Sequence, residues 1–416
     1  MESENEKIKL SYETLWKFII RPPRDNYDEG LDLIGNPYFS FKGRKYIRKD
    51  YELISSEGYL MKCSFFEPIE SDRPRKIMPV IIYLHGNSSS RLEGMKLIRD
   101  LLKNDINLFV VDFPGCGLSE GEYISLGYHE SHDVKILVDF IDKLPGVGYI
   151  GLWGRSMGAA TTMIYSHKDE RIKAICMDSP FADFSLLAKE LVLKKIKLPG
   201  LLIDGALKII RLTVKNKNGL DIDKLKPIDA AGKTTQPAIF IHANEDELIN
   251  NSHSEMLINA YKGKDKCLKR CDGGHNTRRP KRIIREVGEF FYKHLVSNYH
   301  ENYNNNIDIN NSKNSNISDN ANDNKSFDNN KIGNDDKKFN NENKINEQNK
   351  IDNKEKNDLI TNDNIENLLE NEKHSLQNDE KNKNEMDLLN KELSKCFDNC
   401  EKKMKNIDIN NDFKEN

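Results

Sequence analysis

No stretch of this 416-residue chain is apolar and long enough to cross a bilayer as a helix. Met1 to Lys9 is charged and polar. The first apolar run, Leu15-Trp16-Lys17-Phe18-Ile19-Ile20, is short and broken by Lys17, so no secretory signal is expected. With Glu2 after Met1 and no cysteine nearby, neither N-myristoylation nor palmitoylation at this end is expected. The seven cysteines, Cys63, Cys116, Cys176, Cys267, Cys271, Cys396 and Cys400, are odd in number and lack framework spacing. That predicts free thiols in a reducing, cytoplasmic compartment. An excess of one charge is lacking too: 64 basic against 67 acidic residues give a net charge of −3, so no global field favours nucleic acid. No metal-ligand spacing or organic cofactor motif occurs, and Gly115-Cys116-Gly117 is too short for a dinucleotide loop, so neither metal nor cofactor is expected.

The apolar residues that are present are concentrated in the first 300 or so positions, while from about Asn302 the chain is dominated by Asn, Lys, Asp and Glu. Such a tail cannot offset its ordering entropy by burial. The expected organisation is an N-terminal helix and lead-in over 1–49, a globular domain over 50–298, and a disordered tail over 299–416. One tail patch, Glu385 to Phe397, has helical apolar spacing and forms a transient helix or orders on a partner that the sequence leaves unnamed. The segment Tyr12 to Ile20, followed by Arg21-Pro22-Pro23-Arg24, packs on the domain's own flank or rests on an anionic membrane surface.

Within the domain, strand and helix patterns alternate. Asp50-Tyr51-Glu52-Leu53-Ile54 and Leu60 to Phe66 read as a leading antiparallel pair around Ser56-Glu57-Gly58. Val80-Ile81-Ile82-Tyr83-Leu84 reads as a strand buried on both faces. A helix over Arg91 to Lys103, a strand over Asn107 to Asp112, a helix over His129 to Lys143 and strands at Tyr149–Trp153, Ile172–Asp178, Ala238–Ala243 and Lys266–Arg270 follow, with closing helices at Asn251–Lys262 and Pro280–Leu295. This alternation predicts a mostly parallel sheet covered by helices on both faces, with a helical insertion over about 182–235 after the sixth strand of this count.

Gly154-Arg155-Ser156-Met157-Gly158 sits between a strand and a helix, the context of a nucleophile elbow. Ser156 would be held at the strand tip, with the Met157 backbone N–H at a helix start where developing negative charge is favoured. Partners are sought at the carboxyl ends of the other strands. His85-Gly86-Asn87 offers a second oxyanion donor through the Asn87 N–H, and His275, in Cys271-Asp272-Gly273-Gly274-His275-Asn276, is the best-placed base. Asp246 is a candidate acid that would fix the tautomer of His275, with Glu245, Glu247 and Asp178 as rivals. Taken singly, these could be a helix N-cap, a satisfied loop histidine and another N-cap. Their joint order Ser…Asp…His is that of the α/β-hydrolase fold.

His85-Gly86-Asn87, Asp112-Phe113-Pro114-Gly115-Cys116-Gly117-Leu118-Ser119-Glu120-Gly121, Gly154-Arg155-Ser156-Met157-Gly158-Ala159, Asp178-Ser179-Pro180-Phe181, His242 to Leu248 and Gly274-His275 carry a resemblance to a known family. From about Asp50 to Leu295 the chain resembles α/β-hydrolase-domain serine hydrolases, the group that takes in protein depalmitoylases, serine aminopeptidase-like proteins and monoacylglycerol lipases. The resemblance implies a triad of Ser156, Asp246 and His275, with Asn87 and Met157 lining the oxyanion hole. In the family pattern the acid stands four residues after the strand-ending histidine, which is Asp246. Ala243 replaces a usual Gly, Arg155 stands where monoacylglycerol lipases often carry His, the N-terminal cysteine cluster of palmitoyl thioesterases is absent, and the tail has no counterpart.

The insertion alternates apolar residues such as Phe184, Leu187, Leu191 and Ile210 with Lys189, Lys208, Arg211 and Lys215. It reads either as a lid whose apolar face and basic rim suit an acyl chain on an anionic or membrane-bound substrate, or as ordinary amphipathic helices on the sheet. The expected activity is hydrolysis of an acyl ester or thioester, on a small-molecule or lipid substrate, through an acyl-enzyme. The alternatives are a peptidase, which would need a carboxylate cluster for the substrate amine, and a non-catalytic scaffold.

Overall fold

In the computed structural model, residues 16–297 are described, apart from 18 and 196–199; side chains over 192–207 and at 209 are not. The expected tail, its 385–397 patch, Cys396 and Cys400, and the start of the N-terminal amphipathic segment therefore lie outside the described residues. Strands run β1 Tyr38–Phe41, β2 Arg44–Ile54, β3 Leu60–Pro68, β4 Met78–Leu84, β5 Asn107–Val111, β6 Val147–Arg155, β7 Ile172–Asp178, β8 Ala238–Ala243 and β9 Lys266–Cys271. Helices are α1 Leu92–Met95, α2 Ile98–Leu102, α3 Tyr128–Ile141, α4 Met157–Ser166, α5 Phe184–Lys195, α6 Gly200–Asn218, α7 Pro227–Ala231, α8 Asn251–Ala260 and α9 Lys281–Phe291.

The nine strands among the described residues form one sheet in the order β1-β2-β3-β5-β4-β6-β7-β8-β9. The pairs β1/β2, β2/β3 and β3/β5 are antiparallel, and every pair from β5/β4 to β8/β9 is parallel. The mostly parallel sheet expected from the sequence is thus present. Alternation along β4 shows why its residues are apolar without interruption: Val80, Ile82 and Leu84 enter one buried cluster, and Ile81 and Tyr83 the other. Helix α4 closes the first face with Ala159, Ala160 and Met163. Helix α9 closes the second with Ile283, Val287 and Phe291. Trp16 and Ile20, in the helical start of the described chain, are buried in the first cluster, so this part of the N-terminal segment packs on the domain's flank.

Two features differ from the sequence reading. The sheet begins at Tyr38, ahead of the boundary at residue 50, because Lys42 and Gly43 both take positive φ (50° and 77°) and close a two-residue hairpin between β1 and β2. The seventh strand, not the sixth, therefore precedes the insertion. The single helix expected over Arg91 to Lys103 is two short ones, α1 and α2. Gly94, which weakens a helix interior, is placed against Tyr83 and Val110, where a Cβ would collide with both side chains. The insertion is helical as expected, with α5, α6, a short turn at Ile222–Lys224 and α7.

Candidate active site

Parallel register brings the carboxyl ends of the central strands to one edge of the sheet: Leu84 pairs with Gly154, Arg155 with Asp178, and Ala243 with Cys271. The residues singled out from the sequence follow these ends.

The elbow is as tight as its glycines suggest. A Cβ on Gly154 would overlap the carbonyl of Gly158, and one on Gly158 would overlap the carbonyl of Leu84. Between them Ser156 adopts φ 50° and ψ −112°, a conformation costing roughly 1–3 kcal/mol in a non-glycine residue. Its amide donates to Asp178 O at 2.8 Å, which anchors the strained turn to β7. The half-buried hydroxyl faces His275, with His275 Nε2 3.1 Å from Ser156 Oγ. On the other ring nitrogen, His275 Nδ1 lies 2.8 Å from Asp246 Oδ2.

Asp246 lies in the loop between β8 and α8. Its Oδ1 accepts from the backbone N–H of Leu248 at 3.0 Å and of Ile249 at 2.8 Å. His242 Nε2 lies 3.4 Å from Oδ2. Burial pushes the Asp246 carboxyl up, but the hydrogen bonds from His242 and His275, the charge of His275 and the Ile249 N–H outweigh it and hold it well below the usual carboxylate range. The carboxylate is therefore ionised across the physiological range and accepts the hydrogen bond of Nδ1–H in a neutral His275, which leaves Nε2 as the acceptor towards Ser156.

The other carboxylates near the loop are engaged elsewhere. Asp178 accepts from Arg279 Nε at 2.8 Å (Oδ1) and 3.0 Å (Oδ2), with Arg279 Nη2 also 2.8 Å from Oδ1, in a buried pair. Glu247 accepts the backbone N–H of His275 at 2.9 Å, and Glu245 accepts that of Gly273. The cap of α8 is Asn250, whose side chain accepts from Ser252 N at 3.0 Å, so Asp246 is not spent on capping that helix.

The turn after β4 is set by His85. Phe113 N donates to His85 Nε2 at 3.1 Å, which leaves the proton on Nδ1, 2.8 Å from the carbonyl of Gly86. Ser89 N also donates to that carbonyl, at 3.2 Å. In a trans peptide the N–H of Asn87 then faces away from the fixed Gly86 carbonyl. Gly86 lies beside the nucleophile, since a Cβ there would be 3.6 Å from Ser156 Cβ. Among the described residues the backbone N–H groups of Asn87 and Met157 have no protein acceptor. Both are thus left to an outside acceptor.

The insertion packs into the core: Phe184, Leu187, Ile210 and Val214 join the buried cluster that contains Met157. Its described cations are partly neutralised. Arg211 pairs with Asp223 at 3.3 Å, Lys215 with Asp221 at 3.6 Å and Lys226 with Asp183 at 3.4 Å. No group of His, Cys, Asp and Glu side chains suited to a metal ion occurs among the described residues, nor any helix long and apolar enough to cross a membrane. Sequence reasoning missed Glu93 and Arg279 and gave Arg155 no structural task. Their partners are scores of residues away in the chain, and no local pattern signals such pairing.

A family profile described as alpha/beta hydrolase fold matches residues 79–202. The uncharacterized protein YqkD of Bacillus subtilis is 27% identical over 216 residues, 51% of this chain and 68% of that protein. The Arabidopsis thaliana alpha/beta hydrolase domain-containing protein WAV2 is 26% identical over 223 residues, 51% of this chain and 66% of that protein. Among solved structures, the Pyrococcus furiosus esterase Pf2001 superimposes with a TM-score of 0.51 at 22% identity, covering 66% of this chain and 98% of that one. That likeness is one of fold.

Proposed function

We propose that this chain, which has the α/β-hydrolase fold, is a serine hydrolase that cleaves acyl esters or thioesters, with Ser156 as nucleophile, His275 as general base and acid, and Asp246 as the carboxylate behind it. One observation carries the reading: His275 bridges Ser156 Oγ at 3.1 Å and Asp246 at 2.8 Å while Ser156 is held at φ 50° on the elbow.

In the reaction, His275 Nε2 takes the Ser156 proton as Oγ bonds to the substrate carbonyl carbon. The carbonyl π pair moves onto oxygen. The resulting oxyanion accepts from the N–H groups of Asn87 and Met157. Collapse of the tetrahedral species breaks the bond to the alkoxide or thiolate, which leaves with the proton from His275. Water, deprotonated by the same imidazole, then releases the acid and restores Ser156. Asp246 holds the imidazole in the required tautomer and stabilises the imidazolium. The apolar residues of the insertion's sequence support an acyl chain as the recognised part of the substrate; the paired cations of the insertion give less support to an anionic headgroup.

Labelling by a fluorophosphonate tests the chemistry, with wild type labelled and Ser156→Ala blank. An unlabelled, folded wild type would refute the enzyme reading and favour a scaffold. A panel of p-nitrophenyl esters of two to sixteen carbons, acyl thioesters and lysophospholipids tests the substrate. Turnover confined to acetate esters would refute an acyl-chain pocket.

A further inference from the structure

Beside the nucleophile, Arg155 joins three segments that chemistry at Ser156 would need in register. Its Nη1 donates to Glu93 Oε1 at 2.6 Å and its Nη2 to the main-chain carbonyl of His275 at 2.6 Å. The second oxygen of Glu93 accepts the backbone N–H of Gly86 at 2.8 Å. Gly86 is the residue whose peptide unit with Asn87 carries the candidate oxyanion donor. One carboxylate–guanidinium pair therefore touches the oxyanion turn, the elbow and the loop of the base.

The pair is almost fully withdrawn from water, with 9% of the Glu93 side chain and 16% of the Arg155 side chain exposed. Burying such a pair is no efficient route to stability, because desolvation consumes most of the Coulombic gain. What a fork of fixed geometry does supply is direction: two N–H groups of one planar guanidinium reach two acceptors on different segments. A lysine at the same place is a point charge and has no such fork.

We propose that Arg155 and Glu93 are positioning residues for catalysis, one ion pair that holds the Gly86–Asn87 oxyanion turn and His275 in register with Ser156. The proposal rests on the serine-hydrolase reading above. The base loop has a second, independent anchor. Arg279 donates to Gly274 O and Thr277 O at 3.1 Å each and to His275 O at 3.3 Å, while paired with Asp178. Loss of Arg155 consequently shifts the loop without releasing it, and the geometry of the transition state suffers more than the fold.

The test uses the full chain with Arg155→Met, Arg155→Lys, Glu93→Gln and the double variant Arg155→Met/Glu93→Gln, which leaves no unpaired buried charge. Active-site titration with the fluorophosphonate corrects every rate for the folded fraction. The expected result is a fall in kcat of about 10- to 100-fold with KM within about twofold, the size of a misplaced oxyanion donor or base. Inhibition by an alkylboronic acid, whose tetrahedral adduct occupies the oxyanion site, should weaken in parallel. The double variant should be no slower than the slower single one, since both act through one pair, and Arg155→Lys should recover only part of the loss. Variants with lowered Tm but wild-type kcat and boronate affinity would overturn the proposal and leave the hydrolase reading standing. A wild type that the fluorophosphonate does not label would overturn both.

Discussion

Asp246→Asn tests Asp246 against the rival acids Asp178, Glu245 and Glu247 that the sequence left in competition. An asparagine side chain can keep its oxygen on the N–H groups of Leu248 and Ile249, now 3.0 and 2.8 Å from Asp246 Oδ1. Its NH2 group then faces His275 Nδ1, where Asp246 Oδ2 now lies at 2.8 Å. A donor there forces the imidazole proton onto Nε2, the nitrogen 3.1 Å from Ser156 Oγ, and a protonated Nε2 cannot accept the serine proton. Tautomer inversion of this kind costs about 10⁴ in kcat, equivalent to about 5.5 kcal/mol of barrier. The fold should be intact, because the shape and the backbone acceptor are conserved. Steady-state hydrolysis of a p-nitrophenyl ester, with Tm measured on the same sample, gives both quantities. A kcat within tenfold of wild type in a folded protein would refute the assignment of Asp246.

The complementary change, Asp178→Asn, removes the charge partner of buried Arg279 and should cost about 3–5 kcal/mol of stability. At low temperature, where it is folded, its kcat should stay within about tenfold of wild type, as thermal melts and rates can show. Gly158→Ala places a methyl on the carbonyl of Leu84, and such overpacking costs about 1–3 kcal/mol or more, to be read as lost soluble expression or a depressed Tm. Asp133 on α3 predicts a pH dependence: burial raises its carboxyl from 3.8 to about 6 against hydrogen bonds from the N–H and Oγ–H of Ser56 and with help from Glu130 and Glu57. The folded protein thus holds this proton longer than the unfolded chain, so its contribution is complete below 3.8 and is lost as pH rises through about 6. At about 1.4 kcal/mol per decade of proton affinity the change is about 3 kcal/mol. The Tm of Asp133→Asn relative to wild type should therefore rise from pH 4 to pH 7, and a constant difference would refute the buried-carboxylate account.

How much of this could be read from the chain depended on the range of the interaction. Strands whose two faces are both buried announce themselves by unbroken apolar runs, and Ala238–Ala243 has the bounds its composition suggests. The elbow was legible for the same local reason, since the clash-free approach of β6, α4 and Leu84 requires glycine at 154 and 158. The β1–β2 hairpin was missed because Lys42-Gly43 is a weaker turn signature than Asn-Gly, and Tyr38–Phe41 is a short edge strand with only one neighbour. The reason for glycine inside α1, the close approach of Gly94 to Tyr83 and Val110, lies across the fold, where no window of sequence contains it.

At the candidate site the divide is sharper. Ser156, Asp246 and His275 could be nominated because each closes a strand or follows one, so topology alone brings them to one edge. Strand position alone left the acid open, as Asp178 ends β7 and Asp246 follows β8, and only the spacing of the resembled family pointed to Asp246. What separates them is Arg279: by taking both oxygens of Asp178 it leaves Asp246 as the acceptor at Nδ1 of His275. Arg155 acts comparably on Glu93, sending one carboxylate oxygen to the elbow and the other to Gly86. The arginines thereby determine the function of the acids around the serine, and their identity as partners exists only once the strands are paired. A residue-type scan for acids and bases will find the reacting groups of such a site and overlook the cations that distribute them.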